Sequence, residues 1–318
     1  MLNISGLKLP MVADMLVGGD VYFVDSGHAR ANDNYTGTHP TNTPLATLDA
    51  AIGKCTANNG DFIILAPGHA ETLTTAVTVD VAGITIIGIG NGDNRPTFTV
   101  NGAINGINIT ADDVKIANIG MTTGSSVTAA GRWIRIAASD IEISKCRFEL
   151  PYDMYHGIVT ISGDNIQIHD CLFENRVTTS ASVHPQTCIL NTLATNVLVK
   201  NCRFIDTASK KAERWRACCE GGGLASKMVV EDCTFICRGI ATRTRSAGAS
   251  DGTGTQSPTM ATLYCRAISP SANTAVGALY TPTYQYIIES YNVAAVNKVG
   301  LVSVTTSDIR MKREVVYF

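Results

Sequence analysis

Residues 141–150 read IEISKCRFEL, and the plan of this stretch returns as IQIHDCLFEN at 166–175, VLVKNCRFID at 197–206 and MVVEDCTFIC at 228–237. Cys146, Cys171, Cys202 and Cys233 stand 25, 31 and 31 residues apart, and each is followed two places later by Phe148, Phe173, Phe204 or Phe235. Two earlier segments fit the same frame: VKIANIGM puts Ile119 and Met121 at the Cys and Phe positions, and ITIIGIG puts Ile89 at the first of them. Self-similarity at a period of about 20 to 50 residues is the signature of a solenoid, whose units bury their apolar faces only by stacking.

Inside a unit the apolar residues alternate and then slip phase by one. Val114 and Ile116, Ile141 and Ile143, Ile166 and Ile168, and Val197 and Val199 obey period two, which reads as a strand with one face buried. The next inward pair is Ile119 and Met121, or Cys146 and Phe148, so one residue turns a corner between two short strands: Asn118, Lys145, Asp170, Asn201 or Asp232. Asn and Asp tolerate the left-handed conformation that a tight corner needs; Lys145 is the exception. Helical repeats would require spacings of three and four instead. The expected fold is therefore all-β: a right-handed parallel β-helix, with the Cys and Phe positions stacked as two interior ladders. Cys188 and Cys219 each precede an anchor cysteine by 14 residues, which predicts a second cysteine ladder.

The rest of the chain is organised around this body. Residues 1–19 read as an amino-terminal arm and 20–270 as the β-helix, with a short capping helix near 47–56, where Leu48, Ala51, Ile52 and Cys55 recur at helical spacing behind Thr47 as N-cap. Residues 271–318 lose the repeat and read as a β-rich carboxy-terminal cap or assembly segment. Charged residues make up 16% and the formal net charge is −2, which leaves no electrostatic footprint for nucleic acid. No run approaches the roughly 18 apolar residues of a membrane-spanning helix. Ten cysteines without zinc spacing or paired CxxC motifs read as buried thiols, with no metal and no cofactor implied.

The combination FVDSG, GTHPTNTPLATLDAAI and NNGDFIILAPGHAETL, followed by Cys/Phe coils, resembles the pectin-lyase-like right-handed β-helix superfamily and, within it, bacteriophage virion proteins. That resemblance spans most of residues 20–236 and implies a fold rather than an activity, since the architecture serves lyases, hydrolases, tailspikes and non-enzymatic virion proteins alike.

A site on such a body would lie on the outside of neighbouring coils. The outward columns of the anchor strands read Lys115, Glu142, Gln167, Leu198, Val229 and Ala117, Ser144, His169, Lys200, Glu231; beyond the corner they read Gly120, Arg147, Leu172, Arg203, Thr234. These columns hold no carboxylates side by side, so no catalytic residue is assigned. His169 is an isolated histidine among them. Asp112, Asp113, Asp140 and Asp164 read as turn formers. Asp153 and His156 in PYDMYHG have the composition of a sugar-binding loop, and SKKAERWR at 209–216 mixes four basic groups with a tryptophan.

The functional expectation is a non-enzymatic virion structural protein made in the host cytoplasm, a capsid decoration or cement protein that forms a homotrimer on a major capsid protein. Leu7, Leu9, Arg214, Trp215, Tyr284 and Tyr286 are its candidate interaction residues. The alternative is a tailspike or tail-fibre protein that binds or cleaves a host surface polysaccharide.

Overall fold

The computed structural model describes residues 19–125, 131–152, 154, 156–176, 187–207, 217–221, 227–237, 245–249, 259–263, 265–269, 285–288 and 291–294, and two short strands at Asn3–Ile4 and Leu7–Lys8. Three parallel sheets of ten, nine and seven described strands run the length of the body. The first holds the strands Ile141–Ser144, Ile166–His169, Val197–Lys200 and Lys227–Glu231; the second holds Arg147–Leu150, Leu172–Asn175, Arg203–Asp206 and Thr234–Cys237; the third holds Arg132–Ala137, His156–Ser162, Thr187–Asn191 and Ala217–Gly221. The chain visits them in that cyclic order, which makes the fold a right-handed parallel β-helix.

The repeat fixes the register. Phe148 lies level with Phe173, Phe173 with Phe204 and Phe204 with Phe235. Their rings stack with centroids 4.6, 4.9 and 4.9 Å apart. All four are buried, as are Cys146, Cys171, Cys202 and Cys233. The thiols of Cys171, Cys202 and Cys233 donate back to carbonyl oxygens of the coil before, at Ile143 (3.7 Å), Ile168 (3.6 Å) and Val199 (3.6 Å). Cys265 continues this column with a bond to Val230. Each buried phenylalanine contributes roughly 1.5–3 kcal/mol by leaving water.

Two corners are made by left-handed residues. Between the first and second sheets, Asn118, Lys145, Asp170, Asn201 and Asp232 have φ of 56°, 55°, 56°, 51° and 51°. Lys145 adopts the same conformation as its Asx neighbours. A second such column, between the third and first sheets, comprises Gly83, Asp113, Asp140, Asn165 and Asn196. Of these only the aspartates stood out in the sequence, because asparagine before a strand resembles any polar loop residue.

The cysteine pair on the third sheet departs from expectation by one residue. Thr187 lies level with Ala217 and Ile189 with Cys219, so Cys188 stacks on Cys218 and not on Cys219. The cause is an extra residue in the connection to the first sheet: Val197 pairs with Met228, one place further from the third-sheet strand than in the coil before. Burial raises the Cys188 and Cys219 thiols well above their usual range, so both remain protonated and apolar in character.

The helix Leu48–Ile52 caps the first coils with Leu48, Ala51 and Ile52 buried. Thr47 Oγ1 accepts from Ala50 N at 3.3 Å, and the Asp33 carboxylate accepts from Ala46 N and Thr47 N. At the far end, Gln285–Ile288 and Tyr291–Ala294 extend the first and second sheets, so coil pairing persists after the Cys/Phe signature has gone.

The third corner differs from the other two. Links from the second sheet to the third run three and four residues in the first coils, then eight, five, eleven, ten and seven.

Candidate functional site

Ionisable side chains on the outside of the body gather in the coils that carry the anchor cysteines. On the first sheet, His169 is not isolated. Its Nδ1 lies 2.8 Å from Asp170 Oδ2 and its Nε2 lies 3.1 Å from Glu142 Oε1. Only an imidazolium can donate to both at once. Asp170, at the corner, is bonded by His169 and then by Asn201, and these bonds hold its carboxyl below the usual range. One coil further, Lys200 Nζ pairs with Glu231 Oε1 at 3.2 Å.

The denser cluster sits around the corner on the second sheet. Glu149 and Glu174 are level across adjacent strands, about one coil step of 4.8 Å apart. They occupy the outward position two residues after Arg147, a column that the reading of outward positions in the sequence did not reach. Arg147 Nη2 bonds Glu149 and lies 3.5 Å from Glu174 Oε2. Arg176 Nη2 lies 2.8 Å from Glu174 and 3.8 Å from Glu149. Burial alone would raise the Glu174 carboxyl, but the hydrogen bond from Arg176 and the charges of both guanidinium groups outweigh it and hold it below the ordinary value. Arg176 is in turn pushed up by its bond to Glu174. Glu174 is thus kept ionised, a hydrogen-bond acceptor and not a proton donor.

This quartet lies on the second-sheet strands and just past their ends, where the links to the third sheet begin. Tyr152, just past Glu149, is held by two bonds of 3.1 Å with Thr123, from its backbone N to Thr123 Oγ1 and from that hydroxyl to its carbonyl. Its side chain is exposed. Beyond the quartet the same column becomes apolar at Ile205 and Ile236.

Other candidates are placed differently. Asp113 and Asp140 are corner residues, while Asp112 and Asp164 accept bonds from Ser139 N and from Thr195 and Asn196 respectively, all as turn formers. His156 begins a third-sheet strand level with Thr187. Leu7 belongs to a short antiparallel pair with Asn3–Ile4, and Tyr286 is level with Ala261. Leu9, Asp153, Arg214, Trp215 and Tyr284 lie outside the described residues. Among the described residues no group of three or more His, Cys, Asp or Glu is arranged to hold a metal, and no helix is long and apolar enough to cross a membrane.

No protein-family model and no curated protein matches the chain. A solved structure is similar: a rhamnogalacturonan lyase, 15% identical, aligned over 79% of this chain and 68% of its own, with a TM-score of 0.55. The two chains therefore share the parallel β-helix fold. This corrects the expectation of a non-enzymatic protein. The solved structure that shares the fold is an enzyme, and the side-by-side carboxylates whose apparent lack motivated that expectation stand on the second sheet.

Proposed function

We propose that the chain is a polysaccharide-processing β-helix protein that lays an extended glycan on the outer face of the second sheet, over Arg147, Glu149, Glu174 and Arg176. The observation that carries this reading is the pair of level glutamates bridged by two arginines in adjacent coils. A sugar chain offers hydroxyls to the carboxylates and, where it bears carboxylate groups, an anion to the arginines. An ionised Glu174 does not supply the proton donation that a hydrolase requires from one member of its pair. In the virion setting that the sequence resemblance suggests, this role corresponds to a tailspike or tail-fibre protein acting on host surface polysaccharide. The capsid-decoration role rests on 1–19 and 271–318, which lie outside the described residues save for their short strands.

The test is a depolymerisation assay on a panel of neutral and acidic polysaccharides. It follows reducing ends, which either class of cleavage releases, and the ultraviolet absorbance of unsaturated ends, which only elimination yields. Cleavage that falls by about 100-fold or more in Glu174→Gln, with the fold intact, is the expected result. No cleavage of any polymer, or cleavage indifferent to both Glu149→Gln and Glu174→Gln, would overturn the assignment to this face.

A further inference from the structure

The segment that follows Glu149 raises one aromatic ring into solvent. Leu150 and Met154 are buried on either side of it, whereas Tyr152 between them is 38% exposed. The backbone beneath the ring is clamped. Tyr152 N donates to Thr123 Oγ1 at 3.1 Å, and the same hydroxyl donates to the Tyr152 carbonyl oxygen at 3.1 Å. Thr123 is buried at the end of the strand Gly120–Thr123, in the coil before, so the clamp is part of the body.

Among the described residues the ring stacks on no other aromatic side chain, and its hydroxyl has no hydrogen-bond partner. An aromatic face left open to water on a fixed backbone is preorganised for a ligand, because only two side-chain torsions remain to be ordered on binding. The face of the ring is electronegative and attracts C–H groups, which a pyranose presents on the side where its axial hydrogens lie. Tyr152 stands three residues past Glu149, at most about 11 Å along the chain, so one glycan can cover both. The charged quartet serves the hydroxyls of a sugar and does nothing for its apolar faces. Tyr152 supplies that half of the recognition.

We propose that Tyr152, clamped by Thr123, is a stacking platform that holds one pyranose ring by its C–H face while the neighbouring sugars lie over Glu149 and Glu174. Placing the glycan on the second sheet rests on the proposed function; the clamped, open ring does not. The platform positions the chain and takes no part in bond cleavage. It grips a sugar that is chemically unchanged between ground state and transition state, so it acts on affinity and not on the chemical step.

Titration calorimetry and cleavage kinetics of the intact protein with oligosaccharides of polygalacturonate, alginate and dextran test the proposal. Binding of at least one of the three, weakened about tenfold in Tyr152→Ala and close to the unsubstituted value in Tyr152→Phe, is expected. In cleavage, Tyr152→Ala should raise KM by a similar factor and lower kcat far less. The unfolding midpoint should stay in place in both variants, which separates a platform from a structural role. Cleavage with an unchanged KM in Tyr152→Ala would overturn the platform and leave the processing role standing. Binding that depends on Tyr152, with no polymer cleaved, would sustain the platform and remove the processing role. An equal loss of affinity in Tyr152→Phe and Tyr152→Ala would mean recognition through the hydroxyl and overturn the stacking, and binding of none of the three would overturn both readings.

Discussion

Phe173 shows how far a single position can be read before any coordinates. Its neighbours at one coil above and below are Phe204 and Phe148, its ring is stacked on both, and it has no exposed surface. Truncation leaves a cavity between two rings that cannot close, so Phe173→Ala should cost about 3–5 kcal/mol in denaturant unfolding. A loss below about 1 kcal/mol would place the ring outside the core. Positions of this kind were legible because in-register stacking demands the same size and polarity coil after coil. Outward positions face no such demand. Glu149 and Glu174 lie in the anchor motif itself, yet nothing but their level register marks them as a pair. The titration of Glu174 offers a second measurement. The folded-state affinity of Glu174 for protons is depressed, so its contribution to stability is present above the ordinary value of 4.5 and is lost as the pH falls through the lower folded value. Glu174→Gln should thus destabilise the protein at neutral pH, by a margin that shrinks as the solution is made acidic. A margin that stayed constant with pH would mean that the charge is not the source.

At the scale of the element, the corner is the informative unit. Lys145 holds a φ of 55° that an L-residue with a full side chain adopts at a cost of roughly 1–2 kcal/mol, whereas its neighbours in the column are Asn and Asp. Lys145→Asn should stabilise the protein by a few tenths to about 1 kcal/mol, read as a higher denaturation midpoint at unchanged slope. A decrease would show that the lysine side chain is doing something at the corner that its conformation does not reveal. The third-sheet strands make the complementary point. Their inward step puts Trp133 against Gly157, where an added Cβ would sit 2.7–2.8 Å from the indole ring. Gly157→Ala should therefore cost about 1–3 kcal/mol through overpacking. Neither this contact nor the Cys188 to Cys218 stacking could be counted out from the sequence, because both depend on the lengths of the connections on either side. One extra turn residue shifts a whole column, and turn residues carry no periodic signal.

The whole molecule is a stack of coils, and its amino-terminal end shows how the first coil is covered. Val21–Val24 is the outermost strand of the first sheet and would present unpaired backbone groups to another chain if left open. The helix Leu48–Ile52 lies over the first coils with Leu48 fully buried and Ile52 nearly so. Its backbone is tied to the body as well, since Leu48 N donates to Glu71 Oε1 at 2.7 Å and the same carboxylate oxygen lies 2.7 Å from His69 Nε2. His69 is almost wholly buried, and its Nδ1 accepts from Ser26 N, so the cap, the first loop and the second-sheet strand Ala70–Leu73 form one network. Leu48→Asp would bury an unpaired charge under the helix and lift the cap. Each coil rests mainly on its neighbours, so the damage should stay local and leave the anchor coils folded. The expected outcome is a protein with near-normal β-sheet circular dichroism that self-associates through the opened end, seen as concentration-dependent sedimentation that the unsubstituted chain does not show. A variant that instead unfolded completely would mean that the cap and the anchor coils form one cooperative unit, and that the stack does not behave as a sum of neighbouring coils.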